Sequence, residues 1–436
     1  MSNAILPVMS RAGSHVKVAP HDTPSSHPDE HDSGALGPLA GVKVVDLTTS
    51  YAGPTASMYL ADLGAEVIKV ERPNTGDDTR WWGPPFENGA SAWFASANRN
   101  KRSVVVNVRS ADGMEVLDSL LADADVFLEN VNPDKLAALG LDPATLRARH
   151  PRLIYCAMSG FGLDGPDSPR PGYDLVAQAR SGLMSVTGAK GGSPQRVSTA
   201  LSDIVTGMAA ALAICAALVR QKTHGVGEVV DVSLLDSDLA LMAPRIASYL
   251  AGDAEPAPSG GTDSVLAVYQ TFATADRDIA VAIGNDSMWQ RFCTAVGLDE
   301  LARDPALSDN AGRRAHRAHI TAVVGDALAQ RTSAEWLKIL EDADVPSTAV
   351  RTLSEVVADP HVQARGNLLP VPGSDALFGV RSPFRLASMP DPPNVRFPDL
   401  GAHTREVLAA AGWSGDAIAD LADKGAIQLA DPTEKE

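Results

Sequence analysis

The chain has 436 residues, 44% of them hydrophobic and 21% charged, with a net charge of −17 at pH 7. That length exceeds what one core usually serves, so a soluble globular protein of two domains is expected. The negative charge argues against nucleic acid and anionic membrane as partners, and an anionic ligand would need a local concentration of basic residues.

Cys156, Cys215 and Cys293 lie far apart in apolar or helical contexts. They have no metal-ligand spacing, so reduced thiols in the cytoplasm and no bound metal are expected. The first apolar run, residues 5–9, is too short for a secretory signal. The longest later run, residues 208–219, is about half the roughly 20 residues that span a bilayer, so no membrane partner is expected.

Residues 1–37 are polar and rich in Pro, Ser, Asp and His, and read as a disordered extension. His15, His21, His27 and His31 lie within it without tight spacing. From Gly41 onward, strand and helix patterns alternate. Strands are expected at 42–47, 67–71, 103–108, 126–129 and 153–157, with helices at 53–63, 114–121, 133–139 and 143–149 between them. Such alternation implies α/β architecture, a Rossmann-like large domain with a mostly parallel sheet and ligands beyond the carboxyl ends of its strands.

One segment of this domain is locally basic. Lys69, Arg72, Arg80, Arg99, Lys101, Arg102 and Arg109 outnumber Glu71, Asp77, Asp78 and Glu87, giving +3 in a chain of −17. Arginine suits phosphate, and the helix start at Gly53-Pro54 is a further anion site, so a phosphate-bearing ligand competes with a merely solvated surface.

The loop from Ser159 to Asp174 is rich in glycine and proline, which lets backbone approach a ligand. Its Gly160-Phe161-Gly162-Leu163-Asp164-Gly165 run matches a dinucleotide-binding pattern, but Pro166, Pro169 and Pro171 prevent the helix that pattern requires. No Gly-x-Ser-x-Gly elbow is present, and no histidine falls between His150 and His224. Asp174 stands before a helix-compatible run, so a helix cap is the plain reading of it. Beyond residue 225, a strand at 229–232 and a helix at 234–250 are followed by a loop at 254–262. Strands at 265–272 and 279–283 and helices at 288–296, 319–328 and 333–342 then suggest a smaller domain.

From Leu39-Ala40-Gly41 to His403 the chain resembles family III CoA-transferases, the group of formyl-CoA and carnitine CoA-transferases. The resemblance rests on Val44-Val45-Asp46-Leu47, Ala52-Gly53-Pro54, Leu63-Gly64-Ala65-Glu66-Val67-Ile68-Lys69-Val70-Glu71 and Gly76-Asp77. Asn100-Lys101-Arg102-Ser103, Glu129-Asn130, Ser159-Gly160-Phe161-Gly162, Gly172-Tyr173-Asp174, Tyr269-Gln270 and Leu400-Gly401-Ala402-His403-Thr404 complete it.

The resemblance implies an acyl-CoA:carboxylate CoA-transferase with Asp174 as nucleophile. Asp174 would form an anhydride and then a CoA thioester before the acceptor acid reverses the sequence. An acyl-CoA and a carboxylic acid are the implied substrates, with no permanently bound cofactor. The related 2-methylacyl-CoA racemases have histidine where this chain has Tyr173, and tyrosine, titrating near about 10 in water, is a poor base at neutrality. Their second acid matches Asp203, which also reads as a helix cap or first-turn residue.

By the same resemblance Arg72, Lys101 and Arg102 bind CoA, and Tyr51 lies near the acyl site. Lys135 replaces a basic residue whose usual position is Ala138. Gly260 and Gly261, within Ser259-Gly260-Gly261-Thr262, are a faint version of a glycine-rich flap. These last departures leave a CoA-binding relative without turnover as a third reading. An interlaced homodimer is implied, with a large domain at 38–228, a small domain at 229–348, a C-terminal return at 349–420 and a tail at 421–436.

Overall fold

The computed structural model describes residues 37–430 apart from 88–89, 375, 388 and 390–395. The N-terminal extension, save Gly37, lies outside the described residues.

The main sheet contains β1 (Lys43–Asp46), β2 (Glu66–Glu71), β3 (Lys101–Val106), β4 (Val126–Glu129), β5 (Ile154–Ser159), β6 (Val229–Ser233) and β7 (Ile427–Gln428). Their order across the sheet is β7-β3-β2-β1-β4-β5-β6. All pairings are parallel except that of β7 with β3. The strands are near-continuous apolar runs because both faces are covered: Val44, Val45, Val67, Val70, Val104 and Val105 are all buried. The chain builds outward from β1 to β3, then returns to place β4 against the other side of β1. A crevice therefore opens beyond the carboxyl ends of β1 and β4.

Helix α1 (Ala52–Asp62) follows β1 and is buried along its whole length. It packs against α3 (Leu201–His224), with α2 (Asp174–Arg180) preceding α3 and α4 (Leu234–Leu250) following β6. A Cβ at Gly207 of α3 would lie 2.8 Å from the Ala52 carbonyl oxygen, so the close crossing of α1 and α3 needs glycine there. Ala56 and Leu60 of α1 and Ala210, Ile214 and Leu218 of α3 share one core with that face of the sheet. By length and composition α3 could cross a bilayer, yet this row of side chains lies inside the protein. On the opposite face Val116, Leu117, Leu146, Leu408 and Leu421 form the second core.

The smaller unit has an antiparallel sheet of Tyr269–Ala273, Asp278–Ala282 and Ser347–Ala349. Trp289, Phe292, Ile320 and Leu340 fill the core between this sheet and the helices Asp286–Ala295, Arg317–Leu328 and Ser333–Asp342. The strand expected at 265–272 begins only at Tyr269. At the other end, the sequence reading began a tail at 421, but the chain remains part of the body there. Helix Gly415–Asp423 runs past that point, and β7 pairs Ile427 with Val106 and Gln428 with Val105. A strand of two residues is too short for periodicity to reveal.

Candidate active site

A cleft of about 1060 Å³ lies beyond the carboxyl ends of the strands. Its wall takes residues 47–50 after β1, Arg72 after β2, Asn107 and Arg109 after β3, Asn130 after β4 and Ser159 at the end of β5. Tyr173, Asp203 and Lys135 also line it.

The loop after β1 is fixed from two sides. Asn130 accepts from the Thr49 amide at 3.0 Å and donates to the Thr49 carbonyl at 2.8 Å. Ser50, held at φ +69°, donates its amide to Asp77 at 3.1 Å. Asp77 in turn makes a fully buried ion pair with Lys69 at 2.8 Å, and Lys69 donates to the Thr48 carbonyl at 3.0 Å. This buried framework sets the entrance to α1, whose N-terminal residue Ala52 forms part of the wall.

The opposite side is built from two loop ends in backbone contact. A Cβ on Gly160 would lie 2.6 Å from the Gly172 Cα, and one on Gly172 would lie 2.3 Å from the Gly160 Cα. Glycine at both positions lets the loop close directly ahead of Tyr173 and Asp174. Asp231 of β6 accepts from the Leu163 amide at 3.0 Å and ties the loop to the sheet.

Asp174 begins α2 and is only 8% exposed. One carboxylate oxygen accepts from the Ser202 amide at 2.9 Å, the other from Gln178 Nε2 at 2.8 Å. It therefore caps α3, whose own N-cap residue, Ala200, supplies no side-chain bond. The expected local cap is realised on a different helix. Asp174 directly follows Tyr173, which lines the cleft.

Asp203, in the first turn of α3, also lines it. Among the described residues no hydrogen bond or ion pair reaches its carboxylate. Burial, with the charges of Asp174 and Asp238 added, pushes its pKa up to about 7. Asp238 on α4 is fully buried, accepts from Ser202 Oγ at 2.8 Å and leaves Oδ1 without a partner. Burial raises its pKa too. The cleft thus offers one unengaged carboxylate at a helix N-terminus, with Arg72, Arg109 and Lys135 among its other lining residues.

Residues 39–404 match CoA-transferase family III. The chain belongs to this family. It is 37% identical over 380 residues to succinate–glutarate CoA-transferase of Agrobacterium fabrum, covering 85% of this chain and 95% of that protein. It is likewise 37% identical over 406 residues to human succinyl-CoA:glutarate CoA-transferase, covering 91% and 92% of the two chains. Among solved structures, a CaiB/BaiF family protein from Brucella suis superposes with a TM-score of 0.76 at 37% identity, covering 86% of this chain and all of that one. The chain is accordingly an enzyme, a family III CoA-transferase acting on CoA thioesters.

Within this CoA-transferase the residues read from the sequence are distributed unevenly. Arg72, Lys135, Tyr173 and Asp203 line the cleft. Arg72 is also bound to the Gly76 carbonyl and paired with Asp78 at 2.5 Å. Ala138 lines the same cleft one turn from Lys135. Tyr51 lies beside it, bonding Ser96 at 2.9 Å with its ring edge-on to Trp93. Burial raises its pKa.

Lys101 and Arg102 are not brought to the cleft. Lys101 is 2% exposed beneath α1, donating to the Pro54 carbonyl at 2.8 Å and Asn98 at 2.9 Å and pairing with Asp46 at 3.4 Å. Arg102 pairs with Glu66 and Glu406 on the outer surface. Six of the seven basic residues in the locally positive segment are spent on ion pairs; among the described residues Arg109 alone has none. The segment's net charge therefore overstated its freedom to bind phosphate. Gly260 and Gly261 lie outside the cleft lining, and Gly260 donates its amide to the Gly188 carbonyl at 2.9 Å.

Sequence reasoning gave no role to Gln178 or Asp238. Gln178 stands four residues after Asp174, a spacing that places the two on one helix face and could have signalled the bond. Asp238 carried no such signal.

Proposed function

We propose that the enzyme transfers CoA from a dicarboxylic acyl-CoA to a free dicarboxylic acid, with Asp174 as nucleophile. The observation that supports this is the placement of Asp174 where the Gly160–Gly172 contact closes the loop, directly after the cleft-lining Tyr173, its two oxygens oriented by the Ser202 amide and Gln178. Asp174 attacks the thioester carbonyl carbon; a C–O bond forms, the C–S bond breaks and CoA leaves as thiolate. The thiolate then attacks the Asp174 carboxyl carbon, and the donor acid departs with the electron pair of the broken C–O bond. The acceptor carboxylate reverses these steps. One CoA thioester of a carboxylic acid is exchanged for another, so the net transfer is nearly balanced in energy.

Arg72, Arg109 and Lys135 suit the anionic phosphates of CoA, and the start of α1 adds backbone donors. Lys101 and Arg102 have no part in that contact. A racemase would use a base at Tyr173, which is 58% exposed at the loop end. The dicarboxylate preference follows from the succinate and glutarate relatives. Succinyl-CoA tested against a panel of acids should favour glutarate and similar dicarboxylates over monocarboxylates by more than about tenfold. A preference for monocarboxylates, or α-deuterium wash-in without transfer, would overturn the reading.

The enzyme works in this account as a cytoplasmic homodimer. Leu212 and Val219 of α3 and Leu250 of α4 are 75%, 65% and 77% exposed, an apolar surface that a second copy would cover. Light scattering should give twice the 45.5 kDa chain mass; a monomer that remains fully active would contradict this.

A further inference from the structure

Asp203 lines the cleft without a partner in the protein, and its neighbours decide what it can do there. Three carboxyl groups meet at the first turn of α3: Asp174 from α2, Asp203 from α3 itself and Asp238 from α4. Asp174 meets only groups that donate. The Ser202 amide holds one of its oxygens and Gln178 Nε2 holds the other. The buried Gln178 amide cannot be turned round, because its Oε1 accepts from the Val197 amide at 2.8 Å. The negative charge of the cluster therefore belongs on Asp174, where a nucleophile needs it.

A second charge beside it is opposed. Among the described residues no ion pair reaches any of the three acids. Asp238 accepts the Ser202 hydroxyl on one oxygen and leaves the other without a partner. The other titratable group acting on Asp203 is the Tyr51 phenol, ahead of α1 and bonded to Ser96. The basic side chains Arg72, Arg109, Lys135 and Arg170 stand around the cleft wall. Burial, with the like charges of Asp174 and Asp238, pushes the Asp203 pKa up to about 7. A protonated carboxyl group carries one O–H donor, and this one has no acceptor among the described residues.

The reaction itself creates an acceptor. As Asp174 forms its C–O bond to the thioester, the carbonyl π pair moves onto the substrate oxygen. That pair returns when the C–S bond breaks and the thiolate leaves. We infer that Asp203 is a further catalytic residue, a neutral acid whose O–H donates to the substrate carbonyl oxygen as it becomes negative. The proton stays on Asp203 throughout, so the step needs no base and no further reactant. A donor already in place stabilises the oxyanion without reorganisation, whereas an ionised Asp203 would set a second negative charge against it. The inference rests on the reading of Asp174 as the attacking group.

The test follows kcat/KM for succinyl-CoA against pH in wild type, Asp203→Asn and Asp203→Leu, and maps the carboxylate trapped by hydroxylamine in each. Wild type should lose about tenfold between roughly pH 6 and roughly pH 8.5, as Asp203 ionises and the donor is lost. Asp203→Asn keeps a neutral N–H donor, so it should stay within about tenfold of wild type at roughly pH 6 and lack the alkaline limb. Asp203→Leu has no donor and should be slower by about a hundredfold at the same pH. Wild type and the asparagine variant decide the matter if the leucine variant fails to fold. An alkaline limb that persists in Asp203→Asn, or wild-type activity that rises through neutrality, with the hydroxamate on Asp174, would overturn this inference alone. A hydroxamate on Asp203 would overturn the nucleophile assignment and the inference with it.

Discussion

Asp174→Asn is expected to lower CoA transfer by at least about a thousandfold while leaving acyl-CoA binding largely intact, because it removes the attacking oxygen and keeps an acceptor for the Ser202 amide. Asp203→Asn should retain at least about ten times more activity than Asp174→Asn, since Asp203 is not the group acylated. The same Asp203→Asn substitution should stabilise the fold in a pH-dependent way. Asp203 has its pKa raised from 3.8 to about 7 in the folded state. Below the lower value it is protonated in folded and unfolded chains alike and contributes nothing. As pH rises toward 7 the folded state bears a growing penalty, which is complete above it. The asparagine variant should therefore gain on the order of 2–4 kcal/mol at roughly pH 8, and the gain should vanish by roughly pH 4. Urea unfolding at the two pH values reads this directly; a loss of stability at the higher pH would contradict it.

Lys101→Ala is expected to destabilise the protein by about 1–3 kcal/mol, because it leaves buried acceptors without their donor. Burial lowers the Lys101 pKa to about 7, and Asp46 would keep its bonds from Thr48 and Ser57, both at 2.5 Å, and the charge of Lys69. The Pro54 carbonyl and Asn98 would also lose their donor. Strands β1 and β3 and helix α1 meet at this point, so the damage falls on the scaffold of the β1 loop. Any enzyme that remains folded should show a KM for acyl-CoA within about twofold of wild type, since Lys101 touches no ligand. A stable variant with a tenfold higher KM would return Lys101 to the CoA site. Urea unfolding and initial-rate kinetics on the same preparation distinguish the two.

The large domain was legible because its signals are local. Apolar strand runs alternate with helix patterns, and Pro54 marks the start of α1 within a residue or two. The cleft at the carboxyl ends followed from the parallel class alone. Choosing between two acids was a different problem. Asp174 follows a glycine-rich loop and Asp203 begins an apolar helix, and nothing in either pattern says how the two carboxylates sit together. That depends on the Ser202 amide and Gln178 holding Asp174, contacts made across 28 and 4 residues respectively. The basic segment misled for a similar reason. Its charges were counted along the chain, whereas Arg99, Lys101 and Arg102 pair with Asp62, Asp46, Glu66 and Glu406, all outside the segment.

Asp174 carries the covalent intermediate in the proposed mechanism. The most direct measurement traps the enzyme with succinyl-CoA and hydroxylamine and locates the hydroxamate by peptide mass spectrometry. Modification of Asp174 is expected, lost in Asp174→Asn and present in Asp203→Asn. A hydroxamate on Asp203, or CoA transfer that proceeds without any modified carboxylate, would contradict it.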